Sequence, residues 1–133
     1  MVSYLVDTQI LIWTLVAPNK LAPQVKNALE NEATFISQIS FFEIAIKQKL
    51  GKLAELDLTI DQLTNFIERD GFNLLGIQNR HIDAYAEIPL LTNHRDPFDR
   101  LLLATAFSEN MPIVSADENF ALYPPQIQLI ANR

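Results

Sequence analysis

The sequence predicts an α/β fold, a three-layer α/β/α arrangement around a central parallel sheet of four to five strands. Two observations carry this. Short apolar runs rich in Val, Ile and Leu alternate with longer segments of helical periodicity, and strands separated by helices pair in parallel through right-handed crossovers. Glycines and prolines fall between these segments, at Gly51, Gly71, Pro89 and Pro97, where elements are expected to end or begin. At 133 residues and 49% hydrophobic, the chain is sized for one domain, taken here as residues 1–133. No linker, low-complexity tract or internal repeat divides it.

Residues 2–6 read as a buried strand and Thr8–Val16 as a helix, followed by a second helix over Pro23–Asn31 and a short strand over Thr34–Ser37. Ser40–Leu50 is predicted as a helix closed by Gly51, because glycine accepts the left-handed conformation that a helix end often needs. Thr59–Asp70 is another, closed by Gly71. Residues 72–77 suggest a third strand, Asn79–Glu87 a short helix stopped by Pro89, and Pro97–Glu109 a long helix. Ile113–Ser115 reads as a fourth strand and Ile127–Ile130 as a weak fifth.

Four acids lie at the junctions of these elements: Asp7 in SYLVDT, Glu43 in SFFEIAIKQKLGKL, Asp99 in HRDPFDRLLLATA and Asp117 in PIVSADENF. Parallel sheets deliver side chains to a crevice at the carboxyl ends of their strands. Asp7 and Asp117 follow the first and fourth strands, while Glu43 and Asp99 are placed in the first turns of two helices. Helix capping explains each acid singly. Ser40 and Glu43 have the spacing of a capping box, Asp96 and Pro97 form a good helix start that favours Asp99 in the first turn, Asp7 can cap the helix at Thr8, and Asp117 can form a turn with Asn119. Capping does not explain why all four junctions carry an acid where Ser, Thr or Asn would serve. Carboxylates gathered in one crevice repel unless a divalent cation sits between them, so the set points to a metal site for phosphate chemistry.

The composition narrows the metal and the partners. The chain has no cysteine and two histidines, His81 and His94, which argues against disulfides, thiolate sites and zinc and leaves oxygen ligands for Mg²⁺ or Mn²⁺. A net charge of −6 is unlike a generic nucleic-acid coat. It is compatible with a nuclease, since a bound ion offsets acids where substrate docks. Lys47, Lys49 and Lys52 follow Glu43, and Arg95 and Arg100 bracket Asp96 and Asp99, so Lys47, Arg95 and Arg100 are candidate phosphate contacts. No segment is long and apolar enough to span a bilayer, and the most apolar run, residues 10–17, follows Asp7 rather than a basic leader, so a cytoplasmic protein is expected. Trp13, Phe35, Phe41 and Phe42 lie within apolar patterns and are read as core or interface in preference to base-stacking groups.

With these segments in order, the chain resembles the PIN-domain ribonucleases, specifically the VapC-type toxins of toxin–antitoxin pairs. The likeness runs from LVDTQILIW to PIVSADENF, and its most specific part is AspProPheAspArg leading a helix with a small hydroxyl residue two before the last Asp. It implies that Asp7, Glu43, Asp99 and Asp117 are the catalytic acids, that Asp96 is an accessory acid and that Ser115 fills a position usually held by Thr or Ser. The resemblance also implies cleavage of single-stranded or looped RNA leaving a 5′-phosphate and a 3′-hydroxyl, a homodimer, and an antitoxin whose terminal segment reaches the carboxylates with an Arg or Lys. Asp7, Asp99 and Asp117 are assigned to the metal. Glu43 completes the shell or orients water, and Ser115 fixes a carboxylate or water. The helix bearing Glu43 has more apolar surface than one core-facing stripe needs, which makes Phe41 and Phe42 candidates for a partner groove. Two alternatives stand beside this reading. One is a PIN-like nuclease of RNA maturation outside a toxin–antitoxin pair. The other is a Mg²⁺-binding receiver domain, although only Asp7 follows the first strand and no lysine lies beyond Lys52.

Overall fold

The computed structural model describes residues 2–91, 96–123 and 128–132. Five strands, β1 (Ser3–Val6), β2 (Ala33–Ser37), β3 (Asn73–Leu75), β4 (Ile113–Ser115) and β5 (Leu129–Ala131), form one parallel sheet in the order β3-β2-β1-β4-β5. The order reverses between β1 and β4. Successive strands first step outward from β1 to β2 and β3, and then β4 returns to the other side of β1. Such a reversal opens a crevice at the carboxyl ends of the two central strands, because the connections leave them in opposite directions.

Among the described residues, six α-helices link the strands: α1 (Thr8–Val16), α2 (Pro23–Asn31), α3 (Gln38–Lys49), α4 (Ile60–Arg69), α5 (Asn79–Ala84) and α6 (Pro97–Glu109). Alternation along the strands divides the core. Val6 and Val114 point into one apolar cluster with Ile10, Leu11, Val25, Ile44, Leu63 and Ile67, while Leu5 and Ile113 point into a second with Ile88, Leu102, Leu103 and Phe120. Helices on both faces of the sheet give the expected three layers.

The predicted elements stand within about two residues of their expected ends, the scatter usual for frayed termini. Two differences have physical causes. Ser37 caps α3 by accepting the Ile39 N–H at 3.2 Å, so the helix starts at Gln38 and places Glu43 in its second turn, past any capping box with Ser40. The helix expected over Asn79–Glu87 ends at Ala84 and tightens into a 3₁₀ turn over Tyr85–Glu87. Ile127, expected to begin the fifth strand, lies outside the described residues. Two further 3₁₀ turns, Pro18–Lys20 and Glu118–Leu122, were not expected.

Helix α6 is anchored from the side of α5. His81 is fully buried, and its Nδ1 accepts the Gln78 N–H at 3.1 Å, so Nε2 carries the proton and donates to Glu109 at 2.7 Å. Burial acts to raise the Glu109 pKa, but hydrogen bonds from His81 and Arg80 outweigh it and hold the carboxyl below its usual range. This ties the far end of α6 while its first turn faces the crevice.

Helices α3 and α4 end in the same way. At α4, Gly71 has φ +92°, its N–H bonds to the Glu68 carbonyl at 3.1 Å, and the Phe72 N–H reaches back to Ile67 at 3.1 Å. A Cβ there would meet nothing within 4 Å, so the requirement is purely one of backbone conformation. Gly71→Ala is expected to destabilise the fold by about 1–2 kcal/mol. A lower urea midpoint with an unchanged m-value would show it, and an unchanged midpoint would mean that this turn relaxes without strain.

Candidate active site

The site begins where β1 ends. The Asp7 N–H continues the pairing with β4 by donating to the Val114 carbonyl at 3.0 Å, which fixes the backbone at the carboxyl edge of the sheet. Its side chain then serves two elements. Oδ1 accepts the Ile10 N–H at 2.8 Å and caps α1, and Oδ2 accepts the Ser115 hydroxyl at the end of β4. Ser115 Oγ in turn accepts the Asp117 N–H at 2.9 Å, and Asp117 Oδ1 accepts the Asn119 N–H at 2.9 Å. The acids at the ends of β1 and β4 are therefore joined through one hydroxyl.

Two helices supply the other acids. Glu43 on α3 accepts from Thr8 Oγ1 at 2.8 Å, and Thr8 is also 2.9 Å from Ser40 Oγ. A hydroxyl has one proton, so when Thr8 donates to Glu43 it receives the proton of Ser40. At α6, Asp96 Oδ1 accepts the Phe98 N–H at 2.8 Å and the Asp99 N–H at 3.4 Å, which leaves Asp99 in the first turn. Asp7, Glu43, Asp96, Asp99 and Asp117 all line a half-open cavity of about 390 Å³, together with Thr8, Gln9, Trp13, Lys47 and Ala116. A larger depression of about 540 Å³, bordered by Leu21, Leu29 and Phe72, gathers no comparable set of acids.

Burial, with a smaller addition from neighbouring like charges, raises the pKa of the two most enclosed acids. Asp7 is 5% exposed, and burial pushes its pKa to about 7; bonds from Ser115 and Ile10 oppose the rise, while Asp99 and Asp117 add to it. Glu43 also reaches about 7, mainly through burial, with Thr8 opposing the rise and the charges of Asp99, Asp96 and Asp7 adding to it. Among the described residues no three His, Cys, Asp or Glu side chains close into an ion-binding group. The acids line the walls of the cavity rather than meeting at a point. Their donor set is hard oxygen throughout, which suits Mg²⁺ or Mn²⁺ and not a softer ion.

Known proteins can be compared with this geometry. The family model of the PIN domain matches residues 4–124. The chain belongs to the PIN domain family. A comparison with curated proteins found no match. Among solved structures, this PIN domain resembles a chain of VapBC2 from Rickettsia felis bound to a promoter DNA fragment, with a TM-score of 0.70 at 18% identity over 97% of this chain and 98% of that one. It is also similar to a chain of a toxin–antitoxin complex from Klebsiella pneumoniae, with a TM-score of 0.63 at 22% identity over 98% of both. A third similar chain comes from DNA-bound VapBC of Salmonella typhimurium, with a TM-score of 0.66 at 16% identity over the full length of both. At such identities the likeness is one of fold. The family match removes the receiver-domain alternative.

Several residues singled out in the sequence need reassignment within this PIN domain. Arg100 was a candidate phosphate contact, yet it is 1% exposed: Nη2 donates to the Ile88 and Pro89 carbonyls at 3.1 and 2.6 Å, and Nε donates to the Tyr85 hydroxyl at 3.2 Å. It satisfies the chain leading into α6 instead of facing substrate. Phe41 is 2% exposed and packs in the core, so of the two groove candidates only Phe42, 56% exposed, presents its ring outside. Lys47 lines the cavity, one helical turn beyond Glu43. Arg95 and His94 lie outside the described residues. Gln9 and Trp13, spaced i and i+4 on α1, stand on the cavity wall. That spacing was visible, but the apolar surroundings of Trp13 favoured a core reading, and it does in part pack against the core.

Acids whose pKa is raised by folding bind protons more tightly in the native state, so stability is greatest below the unfolded values and is lost as pH rises through the folded ones. For Asp7 and Glu43 that window runs from about 4 to about 7. The metal-free protein is expected to melt higher at pH 5 than at pH 8, and Asp7→Asn should flatten the difference; parallel melting curves in chelator check both. Arg100→Met should cost about 2–4 kcal/mol, because it removes a buried guanidinium and strands the buried Ile88 carbonyl. Denaturant titration measures this, and a loss of RNA affinity at full stability would restore Arg100 to the substrate side.

Proposed function

We propose that this PIN domain is a metal-dependent endoribonuclease and the toxin of a type II toxin–antitoxin pair, acting in the cytoplasm. The observation that carries the reading is the gathering of Asp7, Glu43, Asp99 and Asp117 on one cavity at the reversal point of the sheet, with Ser115 bonded to Asp7 and to the Asp117 backbone.

Asp7, Asp99 and Asp117 would hold Mg²⁺ or Mn²⁺, and Asp96 stands beside them on the cavity wall. An ion held there would neutralise the phosphate and lower the pKa of water. The protein's own part is placement. Ser115 and the Ile10 N–H fix both oxygens of Asp7, so that carboxylate cannot rotate away. Glu43, held by Thr8, orients the attacking water in line with the P–O3′ bond. Water oxygen bonds to phosphorus, the P–O3′ bond breaks, and the 3′ oxygen takes up a proton, giving a 5′-phosphate and a 3′-hydroxyl.

Fold neighbours that are chains of toxin–antitoxin complexes support an antitoxin partner. Phe42 and Phe98 meet edge to face at 5.7 Å, and each directly precedes a cavity acid, Glu43 or Asp99. A partner segment seated on Phe42 would therefore carry an Arg or Lys to the carboxylates. A homodimer accompanies this reading.

Sequencing of RNA 5′ ends after brief induction tests the activity in cells: new ends should appear with the wild type and vanish with Asp7→Asn. In purified protein, Asp7→Asn, Asp99→Asn and Asp117→Asn should each lower cleavage about 100-fold or more, equivalent to about 3 kcal/mol of lost transition-state stabilisation. EDTA should stop the reaction and Mg²⁺ or Mn²⁺ restore it. Full activity in EDTA, or in two of the three variants, would overturn the assignment.

A further inference from the structure

Beside the acid cavity lies a second hollow of about 240 Å³, lined by Gln9, Trp13, Lys20, Lys47, Lys52 and Leu53 among others. Gln9, Trp13 and Lys47 border both hollows, so the two adjoin. Charge reverses along this path. Among the described residues, the first hollow carries five carboxylates and Lys47, whereas the second carries Lys47, two further lysines and a single acid, Glu55.

We propose that this second hollow is the channel for the single-stranded RNA next to the scissile phosphate, with Lys20, Lys47 and Lys52 on its backbone and Trp13 as the stacking platform for one base. The proposal rests on the nuclease reading and adds where the strand lies. A phosphodiester chain needs positive charge at every step. At the cut the metal supplies it, and one step away only the protein can. Three lysines lining a hollow next to an acid-lined pocket meet that need, and an aromatic face accepts any base once it is unstacked, which favours single strands over duplex.

Local folding brings these groups together for identifiable reasons. Gln9 and Trp13 lie one turn apart on α1. The 3₁₀ turn over Pro18–Lys20 then folds the Lys20 ammonium over the Trp13 ring, 5.6 Å from its centroid. At the end of α3, Gly51 has φ +71° and turns the chain so that the Lys52 N–H bonds back to the Lys47 carbonyl at 2.9 Å. Two lysines five positions apart thereby share one end of a helix. Lys20 is exposed, so its contact with the Trp13 ring is weak, and a phosphate is the stronger partner for its ammonium. When Lys20 moves to phosphate, the face of Trp13 is freed for a base. Stacking reads no base edge, so the channel sets how far substrate must extend and not which sequence is cut.

Trp13 is the sole tryptophan, so its emission reports on the hollow directly. The test titrates full-length Asp7→Asn, which binds without cutting, with an oligouridylate of about twelve nucleotides at several salt concentrations. Trp13 emission should be quenched on binding. Adding Lys20→Ala and Lys52→Ala should weaken binding about tenfold and reduce the salt slope by about 1.4, the share of two single-strand phosphate contacts; Lys20→Arg with Lys52→Arg should keep both. If the otherwise wild-type protein cuts RNA while the alanine pair changes neither affinity nor slope and Trp13 emission stays constant, the channel is refuted and the nuclease reading stands. Failure of the wild type to cut RNA removes both. Quenching by poly-glutamate but not by RNA would mark a surface for an acidic protein instead and would equally refute the channel.

Discussion

Burying the carboxylate of Asp7 at the end of β1 sets the terms for the rest of the molecule. A charge in that position is costly, and the fold returns part of the cost through the Ser115 hydroxyl and the Ile10 N–H, leaving a group that titrates near neutrality. Neighbouring acids on α3 and α6 make matters worse for the free protein. On the proposed metal-dependent reading, a bound cation would reverse the sign of each of these repulsions at once, so the arrangement that burdens the free protein would be what favours a divalent ion. On that reading, some stability of the free protein is given up for a preformed binding site.

The acids must also be held against their mutual repulsion, and the anchoring comes from outside the cavity. Helix α6 presents Asp96 and Asp99 at its first turn, while its last turn is fixed through Glu109 to His81 and its second layer through Arg100 to the carbonyls of Ile88 and Pro89. On α3, Phe41 and Ile44 are buried on either side of Glu43 in the sequence. Chemistry-bearing side chains thus sit on elements whose other faces are spent on packing, the condition for holding like charges at fixed separation.

Much of this was legible in the sequence because the governing rules are local. Period-2 and period-3.6 patterns located strands and helices, and capping chemistry located their ends. Asp7 and Asp117 were legible because their positions at the carboxyl ends of β1 and β4 follow from topology. Local rules failed where two local signals competed or where burial depends on partners far along the chain. Ser37 and Ser40 both offer a helix start, and Ser37 is the one that caps α3. Arg100 and Lys47 look alike as cations near acids, but only the packing of α5 and α6 buries one of them. Phe41 and Phe42 are adjacent and equally apolar, and a helix rotates them by about 100°, enough to send one to the core and the other outside.

The contact between β1 and β4 is short, two paired positions, Leu5 with Ile113 and Val6 with Val114. Side chains alternate faces along a strand, so a slip of one residue would carry Ser115 away from Asp7 altogether. The hydroxyl bond therefore doubles as a register pin, and sheet alignment and proton chemistry are not separable traits. In a random mutagenesis selection for inactive protein, substitutions at the apolar residues of β4 should be recovered beside those at the carboxylates, and inheritance of the two sets should be correlated among diverging lineages. An apolar strand residue would there carry the genetic signature of a catalytic one while never meeting the substrate.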